Sequence, residues 1–218
     1  MITTELVFIR HGEAQCNVDG VVGGPATCTG LTTRGQAQVT LAAARLAAEH
    51  RSTPFTALFT GPRLRLRQTG EILGQALGLP VGTHPGLDGP VHGAADGKPW
   101  TEVKTAAGGA PHVHPDQPWA EGSDTWNGYL QRAGAFLRNL IAAHEGDRLL
   151  FAAHGETVIA AHTLLLGLGP GTDAGFAVSH ASISRWQHHL NRLGQHRWLL
   201  KVHNDAAHLA GPAAEPAP

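Results

Sequence analysis

The chain carries one local design twice. Leu6-Val7-Phe8-Ile9 runs into Arg10-His11-Gly12-Glu13, and Leu149-Leu150-Phe151-Ala152-Ala153 runs into His154-Gly155-Glu156. An unbroken apolar run reads as a central strand buried on both faces. Two such strands can lie side by side in one sheet. In open α/β sheets ligands sit outside the carboxyl ends of the strands, which is where both His-Gly-Glu turns fall. One histidine at a strand end reads as an incidental polar residue. Two matching ones, the first preceded by Arg, point to a shared site.

Strand and helix signals alternate along the rest of the chain. Residues 14–30, rich in Gly, Val, Thr and Asn, read as a long loop of the kind that often carries function. Thr32 or Thr33 can cap a helix whose apolar positions are Val39, Ala42, Ala43, Leu46 and Ala47, ending near His50. Ala57–Thr60 reads as a short strand. Gly61-Pro62 follows, with Pro62 placed for the first turn of a helix. The buried face of that helix is Thr69, Ile72, Leu73, Ala76 and Leu77, and Gly78 stops it. Arg63, Arg65 and Arg67 cannot all face one way on a helix. At least one is expected to be solvated charge, and one in the first turn can serve as an anion ligand.

Residues 82–123 lose the period and are rich in Gly and Pro; they read as a lid over the strand ends. His112 and His114 read as exposed loop histidines, since no further ligands stand at metal-site spacing. Trp126, Tyr129, Leu130, Ala133, Leu137, Leu140 and Ile141 mark an amphipathic helix. After strand 149–153, the segment from about Glu156 to Leu166 is apolar nearly all round and reads as a buried helix. Ser182–His188 and Arg197–His203 read as two further strands around Gly194. The expected architecture is α/β, a three-layer α/β/α sandwich on a largely parallel sheet. The expected domain spans residues 1–210, with a disordered tail at 211–218.

Composition sets bounds on partners. The 218 residues include 16 Lys and Arg against 17 Asp and Glu, a balance that points to no nucleic-acid or membrane partner. No apolar run approaches a membrane span, and the start of the chain has no signal-type n-region, so a cytoplasmic protein is expected. The Ala- and Gly-rich, Lys-poor usage points to a GC-rich bacterial genome. Cys16 and Cys28 are expected as separate reduced thiols. A homodimer is left open.

The crevice so assembled holds Arg10, His11, Asn17, an arginine from 63–67, His154 and the Gly155 amide. Cations, imidazoles and an amide donor suit a tetrahedral oxyanion such as phosphate. Histidine can itself be the covalent nucleophile. The inferred reaction is phosphoryl transfer from a small-molecule ester to a ring nitrogen, then to water, with neither metal nor cofactor.

These stretches resemble the histidine phosphatase superfamily, the phosphoglycerate mutase-like fold of its first branch. The resemblance rests on Arg10-His11-Gly12-Glu13 with Asn17, on Thr29-Gly30-Leu31-Thr32-Thr33-Arg34-Gly35-Gln36-Ala37, and on Gly61-Pro62-Arg63-Leu64-Arg65-Leu66-Arg67-Gln68-Thr69. It continues in Glu121-Gly122-Ser123 with Arg132 and in His154-Gly155-Glu156-Thr157. It implies that His11 becomes phosphohistidine and that Arg10, Arg65 and His154 complete the phosphate pocket. Alignment on Pro62 picks Arg65 among the three arginines. His11 is expected to donate from one ring nitrogen to a backbone carbonyl and attack through the other. His154 is expected to serve as a charged donor. Asn17 and Gly155 are expected as further donors, with Thr29 and Gly30 near the leaving portion.

One stretch departs from the family pattern. The family's Leu-x-Glu-x-x-x-Gly-x-Trp-Glu-Gly stands here as Leu87-Asp88-Gly89-Pro90-Val91-His92-Gly93-Ala94-Ala95-Asp96-Gly97, with glycine where the general acid belongs. Asp88, one residue away, and His92 are the replacement candidates. Three readings follow. The first is a phosphomonoesterase acting on a small phosphorylated metabolite. The second is a mutase passing the group between hydroxyls, disfavoured by an insertion without arginine and a bland tail. The third is a weak or silent phospho-ligand or protein-binding domain, motivated by Gly89.

Overall fold

The computed structural model describes residues 1–169 and 175–210; the tail expected at 211–218 lies outside them. Its core is a six-stranded sheet of β1 (Ile2–Arg10), β2 (Ala57–Thr60), β3 (Val81–Thr83), β4 (Arg148–Ala153), β5 (Ile183–Leu190) and β6 (His196–Asp205). The spatial order is β3-β2-β4-β1-β5-β6. The first four strands pair in parallel, and β5 runs antiparallel to both β1 and β6. The two apolar runs are therefore the central neighbours, with Phe8 opposite Phe151 and Arg10 opposite Ala153.

Strand alternation divides the apolar residues between two cores. Val7, Ile9, Leu150 and Ala152 face α2 (Thr33–Ser52) and α3 (Leu64–Leu77). Leu6, Phe8, Leu149, Phe151 and Ala153 face α5 (Trp126–Ala143) and α6 (Gly155–Leu166). Leu6 through Ile9 are all fully buried, each worth roughly 1.5–3 kcal/mol relative to exposure. The result is the expected α/β/α sandwich.

Thr32 caps α2, its hydroxyl accepting from the Gly35 amide at 2.9 Å. Gly12 and Gly35 let the first turn press onto that helix. A Cβ on Gly12 would fall 2.2 Å from the Gly35 carbonyl oxygen. Gly78 ends α3 in the left-handed conformation.

Several sequence expectations need correction. The 14–30 stretch contains a short helix, α1 (Gln15–Val18). Pro62 precedes the α3 cap residue, Arg63, rather than entering the helix, and Ala76 is exposed. On that face Gly70 and Gly74 are buried instead, admitting Val81 of β3. The 82–123 insertion holds α4 (Trp100–Ala106), a helix too short to show a period.

The insertion and the 18–30 loop form one body. Asp96 accepts from the Gly24 amide at 2.7 Å, the Ala26 amide at 3.1 Å and the Thr27 hydroxyl. Val22, Ala95, Val103 and Trp119 pack into a small core of their own. At the opposite end of the sheet, Glu5 and Glu49 each receive Arg148 and Arg185 in a closed ion network.

Candidate active site

The two turns meet because their strands are in register. The His11 amide donates to the Ala153 carbonyl at 2.9 Å, and the His11 and His154 rings stand edge to face, 5.4 Å apart. His11 Nδ1 lies 2.7 Å from the Gly12 carbonyl oxygen. A carbonyl only accepts, so Nδ1 carries the proton and the Nε2 lone pair is free. Burial first, then Arg65, His154 and Arg10, hold the His11 pKa well below the usual imidazole range. The ring is neutral at physiological pH, as a nucleophile must be.

Arg65 and His154 close the far side. Arg65 is 6% exposed, and its Nη2 points at His154 Nδ1 over 3.4 Å. Guanidinium only donates, so His154 Nδ1 accepts and Nε2 holds the proton. That proton faces Asp88 Oδ1 at 3.2 Å. The expectation of a charged His154 is therefore corrected. Burial, then Arg65 and Arg63, push its pKa well below the ordinary value.

Arg63 is the arginine that alignment passed over. It is 4% exposed, and its Nε lies 3.0 Å from Asp88 Oδ1. Its Nη1 and Nη2 donate to the carbonyls of Gly23 and Pro90. Helical spacing could not single it out because residue 63 is the extended cap, outside the helical period. Arg67 is the solvated member of the three.

Position 89 faces the site without a side chain. A Cβ there would sit 3.0 Å from His154 Cδ2 and 3.4 Å from Arg63 Nη1. Asp88 reaches the same place from one residue earlier. His92 is 5% exposed, with its ring against Trp100 and Trp119. Burial and Arg63 lower its pKa to about 4, so it too is neutral.

Asn17, Thr29, Gly30 and Gly155 are the remaining candidates. Asn17 is exposed, its Oδ1 accepting from the Ala14 amide at 3.0 Å. Thr29 is exposed and Gly30 is buried with φ +101°. Gly155 opens α6, and a Cβ on it would lie 3.5 Å from Arg10 Nε. The sequence reading missed His180, whose ring centre is 5.7 Å from that of His11. It also missed that Arg65 Nη1 donates to Cys28 Sγ at 3.2 Å.

The Nε atoms of Arg10 and Arg65 are buried without a hydrogen-bond partner among the described residues. An unmatched buried donor costs about 1–3 kcal/mol, more when charged. Three guanidinia, three neutral imidazoles and the amino end of α6 fit an oxyanion with several acceptor oxygens. Among the described residues no group of three His, Cys, Asp or Glu side chains is placed to hold a metal ion. His112 and His114 are exposed. No helix among the described residues is long and apolar enough to cross a membrane.

Fold and site together define an α/β protein with a pocket of guanidinium and imidazole groups at the end of its first strand. Residues 6–205 match the model of the histidine phosphatase superfamily (branch 1), and the chain belongs to that family. A probable phosphoglycerate mutase GpmB of Yersinia enterocolitica is 25% identical over 221 residues, covering 97% of each chain. A mycobacterial glucosyl-3-phosphoglycerate phosphatase, solved with VO3, superposes with a TM-score of 0.74 at 23% identity, covering 92% of this chain and 98% of that one. The alpha-ribazole phosphatase of Shigella flexneri gives 0.75 at 21% identity, covering 93% and 96%.

Proposed function

We propose that the protein is a phosphomonoesterase that hydrolyses a small phosphorylated metabolite through a phosphohistidine on His11. The observation that carries this reading is the His11 ring itself. Its Nδ1 proton is committed to the Gly12 carbonyl, its Nε2 is unprotonated, and Arg10, Arg65 and His154 surround it. Phosphoryl transfer asks the protein mainly for positioning and for charge around the equatorial oxygens.

In the first step the Nε2–P bond forms as the bond from phosphorus to the leaving oxygen breaks. Asp88 gives that oxygen a proton. In the second step water attacks phosphorus, the N–P bond breaks and the water proton returns to Asp88, releasing inorganic phosphate. Arg63 and His154 hold the Asp88 carboxyl in place for both transfers. Asn17 and the Gly155 amide add donors, and Thr29, Gly30 and His92 border the alcohol portion. Hydrolysis is preferred to mutase transfer because the 82–123 insertion adds no arginine for a second acidic group. The reading places the enzyme in the cytoplasm, without a nucleic-acid or membrane partner.

The test is turnover of p-nitrophenyl phosphate by wild type and His11→Ala from pH 4 to 8, with a chelator present. Chelator-resistant hydrolysis lost in the variant is the expected result. Phosphate or vanadate binding without turnover at any pH would replace the enzyme by a reused binding site.

A further inference from the structure

Residues 178–182, just before β5, are fastened to the end of β1. The Ala181 amide donates to the carbonyls of both Arg10, at 3.0 Å, and His11, at 3.2 Å. The Arg10 amide donates to the Ser182 carbonyl, and Arg10 Nη1 donates to the Val178 carbonyl. From the other side the Asn204 carboxamide oxygen accepts from the Ser179 amide, and His208 Nε2 meets the Ala181 carbonyl at 3.0 Å.

Ala181 is fully buried at φ +54°, in the left-handed region. A residue with a Cβ avoids this conformation unless its surroundings impose it, and such strain gathers at functional sites. Here it accompanies the placement of the preceding side chain. The His180 ring lies 5.7 Å from the His11 ring at a 40° tilt. Its Nε2 is buried and has no hydrogen-bond partner among the described residues. The charged groups that act on it are Arg10, Glu13, Arg34 and Arg65. The two-step scheme above gives this imidazole no task.

We propose that His180 is a third catalytic imidazole, whose Nε2–H donates to a non-bridging oxygen of the phosphoryl group held at His11. This rests on the assignment of His11 as the phosphoryl acceptor. Burial, then Arg10, brings the His180 pKa down to about 4, so the ring arrives neutral with one N–H to give. A neutral donor adds no charge beside the guanidinia and leaves His11 uncharged.

Three variants separate donation from packing. His180→Phe keeps an aromatic ring against His11 but no N–H; His180→Asn keeps an N–H donor; His180→Ala keeps neither. A hydrogen bond to a charged group corresponds to a loss of roughly 10- to 100-fold in kcat/KM for p-nitrophenyl phosphate. Phe and Ala should show that loss, and Asn should recover part of it. A Phe variant as active as wild type overturns the proposal.

The second measurement does not need turnover. Protein labelled with 15N-histidine is titrated with inorganic phosphate and with vanadate, and the His180 signals are assigned from the Asn variant. His180 Nε2 should shift together with the His11 and His154 nitrogens. Shifts in those two rings without His180 refute the role. Shifts in all three from a wild type that never turns over would sink hydrolysis and leave the His180 contact standing.

Discussion

Asp88→Asn separates the two tasks given to that carboxyl group. Asn keeps an oxygen for Arg63 Nε, now at 3.0 Å, and for His154 Nε2, now at 3.2 Å, but has no proton to donate. Arg63 also retains the Gly23 and Pro90 carbonyls. Losing the Arg63 ion pair and weakening the His154 hydrogen bond therefore costs about 1–2 kcal/mol. At this chain length that lowers Tm by roughly 2–8 °C. Proton donation to the leaving oxygen is worth about 10²- to 10⁴-fold in rate. An alkyl phosphate, whose leaving oxygen needs the proton, should lose that factor. p-Nitrophenyl phosphate, whose phenolate leaves unaided, should stay within about tenfold. The assay is kcat/KM for wild type and variant across esters of graded leaving-group pKa, with Tm recorded for each protein. The variant should give the steeper dependence. Equal losses on both kinds of ester would show that Asp88 only holds Arg63 and His154 in place, and proton transfer by Asp88 would be abandoned.

Two further outcomes follow from the buried histidines and the thiols. His92 and His162 are 5% and 0% exposed, and burial brings each down to about 4 from an unfolded value near 6.5. As pH falls below 6.5 the unfolded chain takes up these protons first, so stability is lost between pH 6.5 and 4. The pair sets a slope of roughly 2.4 kcal/mol per pH unit near pH 5, and His11 and His154 act in the same direction. Urea unfolding from pH 7 to 4.5 measures this, and a flat profile would contradict it. Iodoacetamide should label Cys28 well before Cys16. For Cys28 burial raises the pKa, but hydrogen bonding and charge from Arg65 outweigh it and leave the thiol below its ordinary range. Cys16 is 6% exposed, and burial pushes its pKa up. Peptide mass spectrometry over time checks the order, and preferential Cys16 labelling would refute it.

What was legible in the sequence is what consecutive residues or a fixed period can specify. Two apolar runs ending in His-Gly-Glu implied adjacent strands, and Phe8 stands opposite Phe151 as that requires. Period also found the buried faces of α2 and α5. Features set by tertiary placement were not legible. Arg63 belongs to the site because an extended cap residue turns its side chain toward 88–90, and no helical period describes a cap. His180 follows an aperiodic stretch, and alanine at 181 gives no sign of a left-handed backbone. Helix α4 has seven residues between Gly- and Pro-rich flanks.

The carboxylate at 88 and the glycine at 89 are best understood as one arrangement. A side chain at 89 would begin against His154 Cδ2 and Arg63 Nη1, in the space where Asp88 Oδ1 meets both residues. Two carboxylates there would repel each other across a few ångströms of low-dielectric interior. A glycine at 89 leaves the place to Asp88, and Arg63 beside it supplies the counter-charge. Seen only in the sequence, Gly89 is a missing acid and an argument for a silent site. Seen with Arg63 and His154 around it, the same glycine is what lets the neighbouring aspartate stand at the edge of the His11 pocket. The missing acid at 89 therefore does not argue against an active phosphatase.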